Sequence, residues 1–72
     1  MESGVVSAVV PARGFCFIHP DDGSPTLFCH VRGFVPPLLD FGKEVFVGLR
    51  VEYTREYAQK GARAANVRPV TE

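Results

Sequence analysis

The sequence of 72 residues contains no tryptophan, only 2 cysteines and no excess of charge of either sign. Cys16 and Cys29 are too few for a disulfide scaffold or a four-cysteine zinc site, and neither stands in a Cys-x-x-Cys motif. Lys and Arg total 8, as do Asp and Glu, so we do not expect a polyanion to be held chiefly by bulk charge. We expect two reduced thiols, no metal ion and no cofactor.

Long apolar runs and a basic leader are also absent. No stretch approaches the roughly 18 consecutive apolar residues that span a bilayer as a helix. The N-terminal Met-Glu-Ser-Gly-Val-Val lacks the basic start and the apolar run of a signal peptide. The small number of cysteines agrees with a reducing compartment. We therefore expect a cytoplasmic location and no membrane partner.

Glycine and proline interrupt the whole chain and leave no amphipathic window of helical length. Between these breaks lie five runs rich in β-branched and aromatic residues, at positions 5–10, 14–18, 27–31, 43–53 and 62–70. Five short strands in a chain of this length favour a closed barrel over an open sheet with exposed edges. The sequence therefore predicts an all-β fold with residues 1–72 as a single domain.

Two segments are predicted to connect strands. Neither Pro36 nor Pro37 can donate to a strand ladder, so the segment around them is predicted to be a loop. Three of its apolar side chains are expected to cover one end of the barrel: Leu38, Leu39 and Phe41. Residues 53–60 are too short and too poorly capped for a stable helix, and we interpret them as an extended, partly mobile hairpin connection.

Alternation along the second and third predicted strands separates rings from aliphatic side chains. If the turn at 20–25 joins these strands into a hairpin, one face carries Phe15, Phe17, Phe28 and His30. The other face is wholly apolar and carries Cys16, Ile18, Leu27, Cys29 and Val31. Burying the rings instead would leave that apolar face as the outer wall, which is the less favourable arrangement. We therefore predict exposed rings, with Cys16 directly opposite Cys29 inside the barrel.

Exposed rings on a strand pair suit the stacking of unpaired bases, at roughly 1–3 kcal/mol per base. Arg13 comes just before the second strand's rings and Arg32 just after Val31, so the two arginines bracket the rings in sequence and could contact phosphates. The alternative is a protein–protein module that uses the same rings for a partner or a homodimer. Catalysis is not expected, because strand alternation places both cysteines on the face opposite His30.

Two motifs carry a resemblance to a known family. Residues 13–18, Arg-Gly-Phe-Cys-Phe-Ile, resemble the first RNA-binding motif of cold-shock domains, Lys-Gly-Phe-Gly-Phe-Ile. Residues 27–31, Leu-Phe-Cys-His-Val, resemble the second motif, Val-Phe-Val-His-Phe, and residues 60–67 resemble the usual ending. The resemblance implies a five-stranded antiparallel Greek-key OB-fold barrel. It also implies binding of single-stranded RNA or DNA, usually pyrimidine-rich. We expect the protein to be a monomer, with a homodimer as the alternative.

The residues expected to contact nucleic acid are Arg13, Phe15, Phe17, Phe28, His30, Arg32, Phe34, Lys60 and Arg63. The first strand departs from the family, because Ser7 and Ala8 stand where the family has lysine and tryptophan. Val31 likewise replaces an aromatic residue. Phe34 is the candidate to replace a missing ring, and its alternative role is to cap the barrel end. The long connection between the fourth and fifth strands is either a solvated hairpin or a second contact surface.

Overall fold

Five strands account for most of the chain in a computed structural model that describes residues 1–35, 40–59 and 61–70. They are β1 (Glu2–Val10), β2 (Phe15–Pro20), β3 (Leu27–His30), β4 (Arg50–Ala58) and β5 (Gly61–Pro69). The strands close into a barrel in the order β1-β2-β3-β5-β4. Contacts between neighbours are antiparallel except for the parallel contact of β3 with β5, which closes the barrel. The predicted all-β OB-fold barrel is confirmed.

In the part of the chain that the structure describes, three short helical segments lie between the strands. Short 3-10 helices follow β1 and β3, at Pro11–Arg13 and Val31–Gly33. A single turn of α-helix, α1 (Phe41–Glu44), precedes β4. Within the described ranges no helix is long and apolar enough to cross a membrane. The prediction that Val31 continues the inward face of the third strand was wrong, because β3 ends at His30 and Val31 begins the 3-10 helix, where it is only half-buried.

The fourth strand begins later than predicted. The sequence predicts one strand over residues 43–53. In the structure, residues 43 and 44 belong to α1, and β4 begins only at Arg50. The chain turns between these elements at Gly48, whose φ of 99° favours glycine. The Gly48 N–H donates to the Val6 carbonyl at 2.8 Å, and the Val6 N–H donates to the Leu49 carbonyl at 2.9 Å. Pairing with β1 thus determines where β4 begins.

The segment from residue 53 is strand rather than a connection, so that part of the prediction was wrong. The ladder between β4 and β5 continues through the pairs Tyr57 with Ala62 and Ala58 with Gly61. The extended conformation predicted in place of a helix is confirmed. Backbone pairing between β4 and β5 stabilises a segment that in the sequence is a polar stretch without helix caps.

Among the described residues, the core consists of inward side chains from all five strands together with two side chains from the β3–β4 connection. These residues are Val6, Cys16, Ile18, Leu27, Cys29, Phe34, Val45, Val51, Tyr53, Ala64 and Val67. Burial of each larger aliphatic or aromatic side chain contributes roughly 1.5–3 kcal/mol. Phe41 packs against this core, with its ring centroid 6.0 Å from that of Phe34, as expected for a residue that covers a barrel end. Leu38 and Leu39 lie outside the described residues.

A bulge in β1 determines which of its side chains face outward. The β1–β2 register shifts between Val6 and Ala8, so Ser7 is an extra residue in the ladder. Ala8 is then paired with Phe17 on the outer side, and Val9 packs against the core. Strict alternation from buried Val6 would place Ala8 inside. The bulge therefore moves Ala8 to the side of the barrel that carries the rings.

Candidate nucleic-acid interface

The aromatic face is the outer surface formed by Phe15, Phe17, Phe28 and His30 on β2 and β3. Phe17 pairs with Phe28 and Phe15 pairs with His30, so the side chains are neighbours across the hairpin. The Phe15 ring centroid lies 5.2 Å from that of Phe28 and 5.5 Å from that of Phe17. The Phe28 centroid lies 6.5 Å from that of His30. The rings thus form one continuous surface, as the alternation predicted.

The inner side of the same hairpin faces the barrel core and is closed to solvent. Cys16 pairs with Cys29 in the predicted register, and both side chains are fully buried as free thiols. Contact with the Cys16 thiol, together with burial, raises the pKa of Cys29. A buried thiol held in its protonated form behaves as a small apolar side chain. Cys16 and Cys29 therefore anchor the strand pair that presents the rings.

The rings differ in how much surface they leave open. Phe28 is 37% exposed, whereas Phe15 and Phe17 are half-buried because their rings pack edge to face. His30 is exposed, and its Nδ1 accepts a hydrogen bond of 3.1 Å from the Arg32 N–H. In a neutral imidazole, an accepting Nδ1 leaves the proton on Nε2. His30 is therefore held in one orientation with its Nε2–H as a donor.

Three arginines lie next to the strands of the aromatic face, two of them by sequence and one by strand pairing. Arg13 ends the 3-10 helix after β1, and Gly14 follows it with a φ of 72°. Arg32 lies in the 3-10 helix after β3, and Arg63 of β5 is the Cα partner of Phe28. Arg13 and Arg32 are exposed and form no ion pair within the described residues, whereas Arg63 lies 3.4 Å from Glu56. Two of the three guanidinium groups are thus open to a ligand.

Two predicted site residues do not join this surface. Phe34 is 2% exposed and belongs to the core, so the expectation that it replaces a missing ring was wrong. Its backbone forms a bridge with Val67, which holds the side chain inward at the barrel end. Lys60 lies outside the described residues. Among residues 1–35, 40–59 and 61–70, none therefore adds a ring to the aromatic face in place of those absent at Ala8 and Val31.

A groove that the sequence did not indicate lies along one edge of the aromatic face. It has a volume of about 350 Å³ and is lined by Phe28, His30, Arg32, Glu56, Arg63 and Asn66, among others. It forms where β5 lies alongside β3, a contact between segments far apart in sequence. Local alternation could not reveal this juxtaposition, and Glu56 and Asn66 were therefore missed.

A second group of charges lies elsewhere on the barrel, and we call it the charged cluster. It consists of Glu2, Asp21, Asp22, Arg50 and Arg55. Arg50 lies 2.7 Å from Asp21, and Arg55 lies 2.7 Å from Glu2 and 3.6 Å from Asp22. Hydrogen bonds from Arg50 and then Ser3 lower the pKa of Asp21. Pairing of both arginines favours the solvated interpretation for the part of the β4–β5 hairpin that carries Arg50 and Arg55.

Comparison with known proteins agrees with this geometry. A family model described as the "'Cold-shock' DNA-binding domain" matches residues 2–70. The chain is also 35% identical to the cold shock-like protein CspG of Shewanella violacea over 65 residues, which is 90% of this chain and 89% of that protein. The match therefore covers all five strands and the whole aromatic face.

Proposed function

Because this chain belongs to the cold-shock DNA-binding domain family, whose members bind nucleic acids, we propose that it binds single-stranded RNA or DNA. Unpaired bases stack on the aromatic face, and no catalytic step is involved. The observation that carries the proposal is the continuous outward surface of Phe15, Phe17, Phe28 and His30. Stacking accepts any base, because every base has a π-face.

The charges around the rings support a binding mode in which cations play a local part. The chain has a formal net charge of +0, so long-range attraction of a polyanion is weak. Arg13 and Arg32 nevertheless stand beside the rings without ion pairs among the described residues. A strand laid across the rings would bring its phosphates to these guanidinium groups. Affinity then depends mainly on stacking, with a small electrostatic contribution.

The proposed cellular role is that of an RNA chaperone or a regulator of transcription or translation. A protein that holds unpaired bases removes them from competing secondary structure, and this needs no bond chemistry. Each stacked base contributes about 1–3 kcal/mol, so the absence of rings at Ala8 and Val31 weakens the complex. Weak binding favours rapid release, which suits a chaperone.

A titration of the isotopically labelled protein with seven-nucleotide oligouridine and oligothymidine, followed by chemical shifts, tests the proposal. We expect the largest shifts along β2 and β3 and at Arg32. The matching duplex is the control, because its bases are paired and cannot reach the rings. Absence of shifts at the aromatic face with either oligonucleotide at millimolar concentration would contradict the proposal.

Sedimentation at several protein concentrations tests the rival function, a homodimer formed through the same rings. We propose that the protein is a monomer, since its exposed rings are reserved for bases. A dimer whose formation is abolished by Phe28→Ala, combined with no oligonucleotide binding, would favour the protein–protein function.

A further inference from the structure

The groove beside Phe28 brings together a ring, a carboxylate and a guanidinium group. Glu56 and Arg63 are paired across the β4–β5 hairpin, and Arg63 is also the Cα partner of Phe28. All three side chains line the same groove of about 350 Å³. That volume lies in the range of roughly 300–1,000 Å³ that is usual for small-ligand sites. A base stacked on Phe28 would therefore meet both charges at its edge.

The ion pair between Glu56 and Arg63 in this groove can be replaced by hydrogen bonds from each side chain to a ligand. The Arg63 Nη2 lies 3.4 Å from the Glu56 Oε2, and both side chains are about half exposed, at 55% and 50%. Exposed pairs of this kind contribute little to stability. The guanidinium has five N–H donors and the carboxylate has two acceptor oxygens, so most of their hydrogen-bonding capacity is unused. A ligand with the complementary edge can replace the pair without a large loss.

We propose that this groove selects guanine, an inference that rests on the proposed function. Glu56 can only accept hydrogen bonds when ionised, and Arg63 can only donate them. Guanine offers the adjacent donors N1–H and N2–H to a carboxylate and the acceptors O6 and N7 to an arginine. The Arg–guanine pair is the commonest specific contact between side chains and bases.

The other bases match the groove less well. Cytosine offers a carboxylate only its N4 amino group, and uracil has a single N3–H between two carbonyl oxygens. Adenine has one amino group and no second donor on the same edge. The aromatic face thus accepts any base, while the Glu56–Arg63 pair discriminates at one position. A guanine preference at that position differs from the pyrimidine preference that the resemblance implied.

The test uses seven-nucleotide oligouridines whose central base is uracil, cytosine, adenine, guanine or hypoxanthine. We expect guanine to bind at least about five-fold more tightly than uracil, the lower end for a bidentate contact. Hypoxanthine lacks the N2 amino group and should lose part of this preference. Glu56→Gln replaces one acceptor with an amide donor, so guanine and hypoxanthine should then bind equally.

Glu52→Gln is the matched control, because it makes the same charge change on the same strand outside the groove. It should raise affinity for every oligonucleotide slightly and leave the guanine preference unchanged. Melting temperatures of both variants verify the fold. Three outcomes would overturn the inference while leaving the proposed function intact. They are equal binding of all bases, a preference for cytosine, and an undiminished preference of Glu56→Gln for guanine over hypoxanthine. Failure of every oligonucleotide to bind would overturn both.

Discussion

The aromatic face and the charged cluster show two ways in which this neutral chain places its cations. In the charged cluster, Arg50 and Arg55 lie within 2.7 Å of carboxylates, which neutralise them. Beside the aromatic face, Arg13 and Arg32 have no carboxylate partner among the described residues. Net charge therefore conceals a local excess of positive charge beside the rings. For a binding protein of this size, the position of each ion pair matters more than the sum of charges.

The largest effect is expected when a ring is removed from the aromatic face. Phe28→Ala should weaken binding of a short oligouridine by about 1–3 kcal/mol, because one base loses its stacking partner. Phe28 is exposed and contributes little to the core, so the melting temperature should change only slightly. Phe46→Ala is the control, because Phe46 is an exposed ring in the segment before β4 and is not one of the four residues of the aromatic face. An unfolded Phe28→Ala variant would show that the faces are assigned wrongly.

Adding a ring should have a similar effect of opposite sign. Ala8→Trp places an aromatic side chain beside Phe17 on the outer side of β1, and should tighten oligonucleotide binding by about 1–3 kcal/mol. Val47→Trp adds the same ring at an exposed position in the turn before β4 and should leave affinity unchanged. If Ala8→Trp binds no more tightly in a calorimetric titration, β1 does not contact the ligand.

The dependence of affinity on salt separates the two groups of arginines. Each phosphate neutralised on a single strand contributes about −0.7 to the slope of log affinity against log salt. Arg32→Gln should therefore make the slope shallower by about 0.7. Arg50→Gln should leave it unchanged, because Arg50 is paired with Asp21. An equal loss of slope in both variants would show that the charged cluster also meets the strand.

The smallest expected effect is on stability in acid. The lowered pKa of Asp21 lies below the unfolded value of about 3.9, so its stabilising contribution is present above that value. This contribution is lost as the pH falls through the folded pKa. Asp21→Asn should be less stable than the wild type near neutrality, and the two should converge in strong acid. Urea unfolding at several pH values measures this difference.

Asp40→Asn is the control for that series, since Asp40 forms no side-chain hydrogen bond at the start of α1. Its free energy of unfolding should follow the wild type at every pH. A difference between Asp21→Asn and the wild type that does not shrink in acid would mean that Asp21 stabilises the fold through its shape rather than its charge.

The β2–β3 hairpin was predicted closely because its information is local. The alternation of rings with apolar side chains, the turn at 20–25 and the pairing of Cys16 with Cys29 all involve residues close together in the sequence. Phe34 and the start of β4 were predicted wrongly, because their surroundings come from distant strands. Phe34 is held inward by Val67, and β4 begins where Leu49 and Gly48 bond to Val6.

The sequence by itself determined the strand-rich architecture, the two faces of the hairpin and the absence of a dominant charge. Each of these follows from side-chain types at a period of two or from composition. Tertiary structure decided the bulge that turns Ala8 outward, the ion pairs that neutralise Arg50 and Arg55, and the groove between β3 and β5. The physical reason is that barrel closure brings together residues far apart in the chain, and no local pattern records which of them will meet.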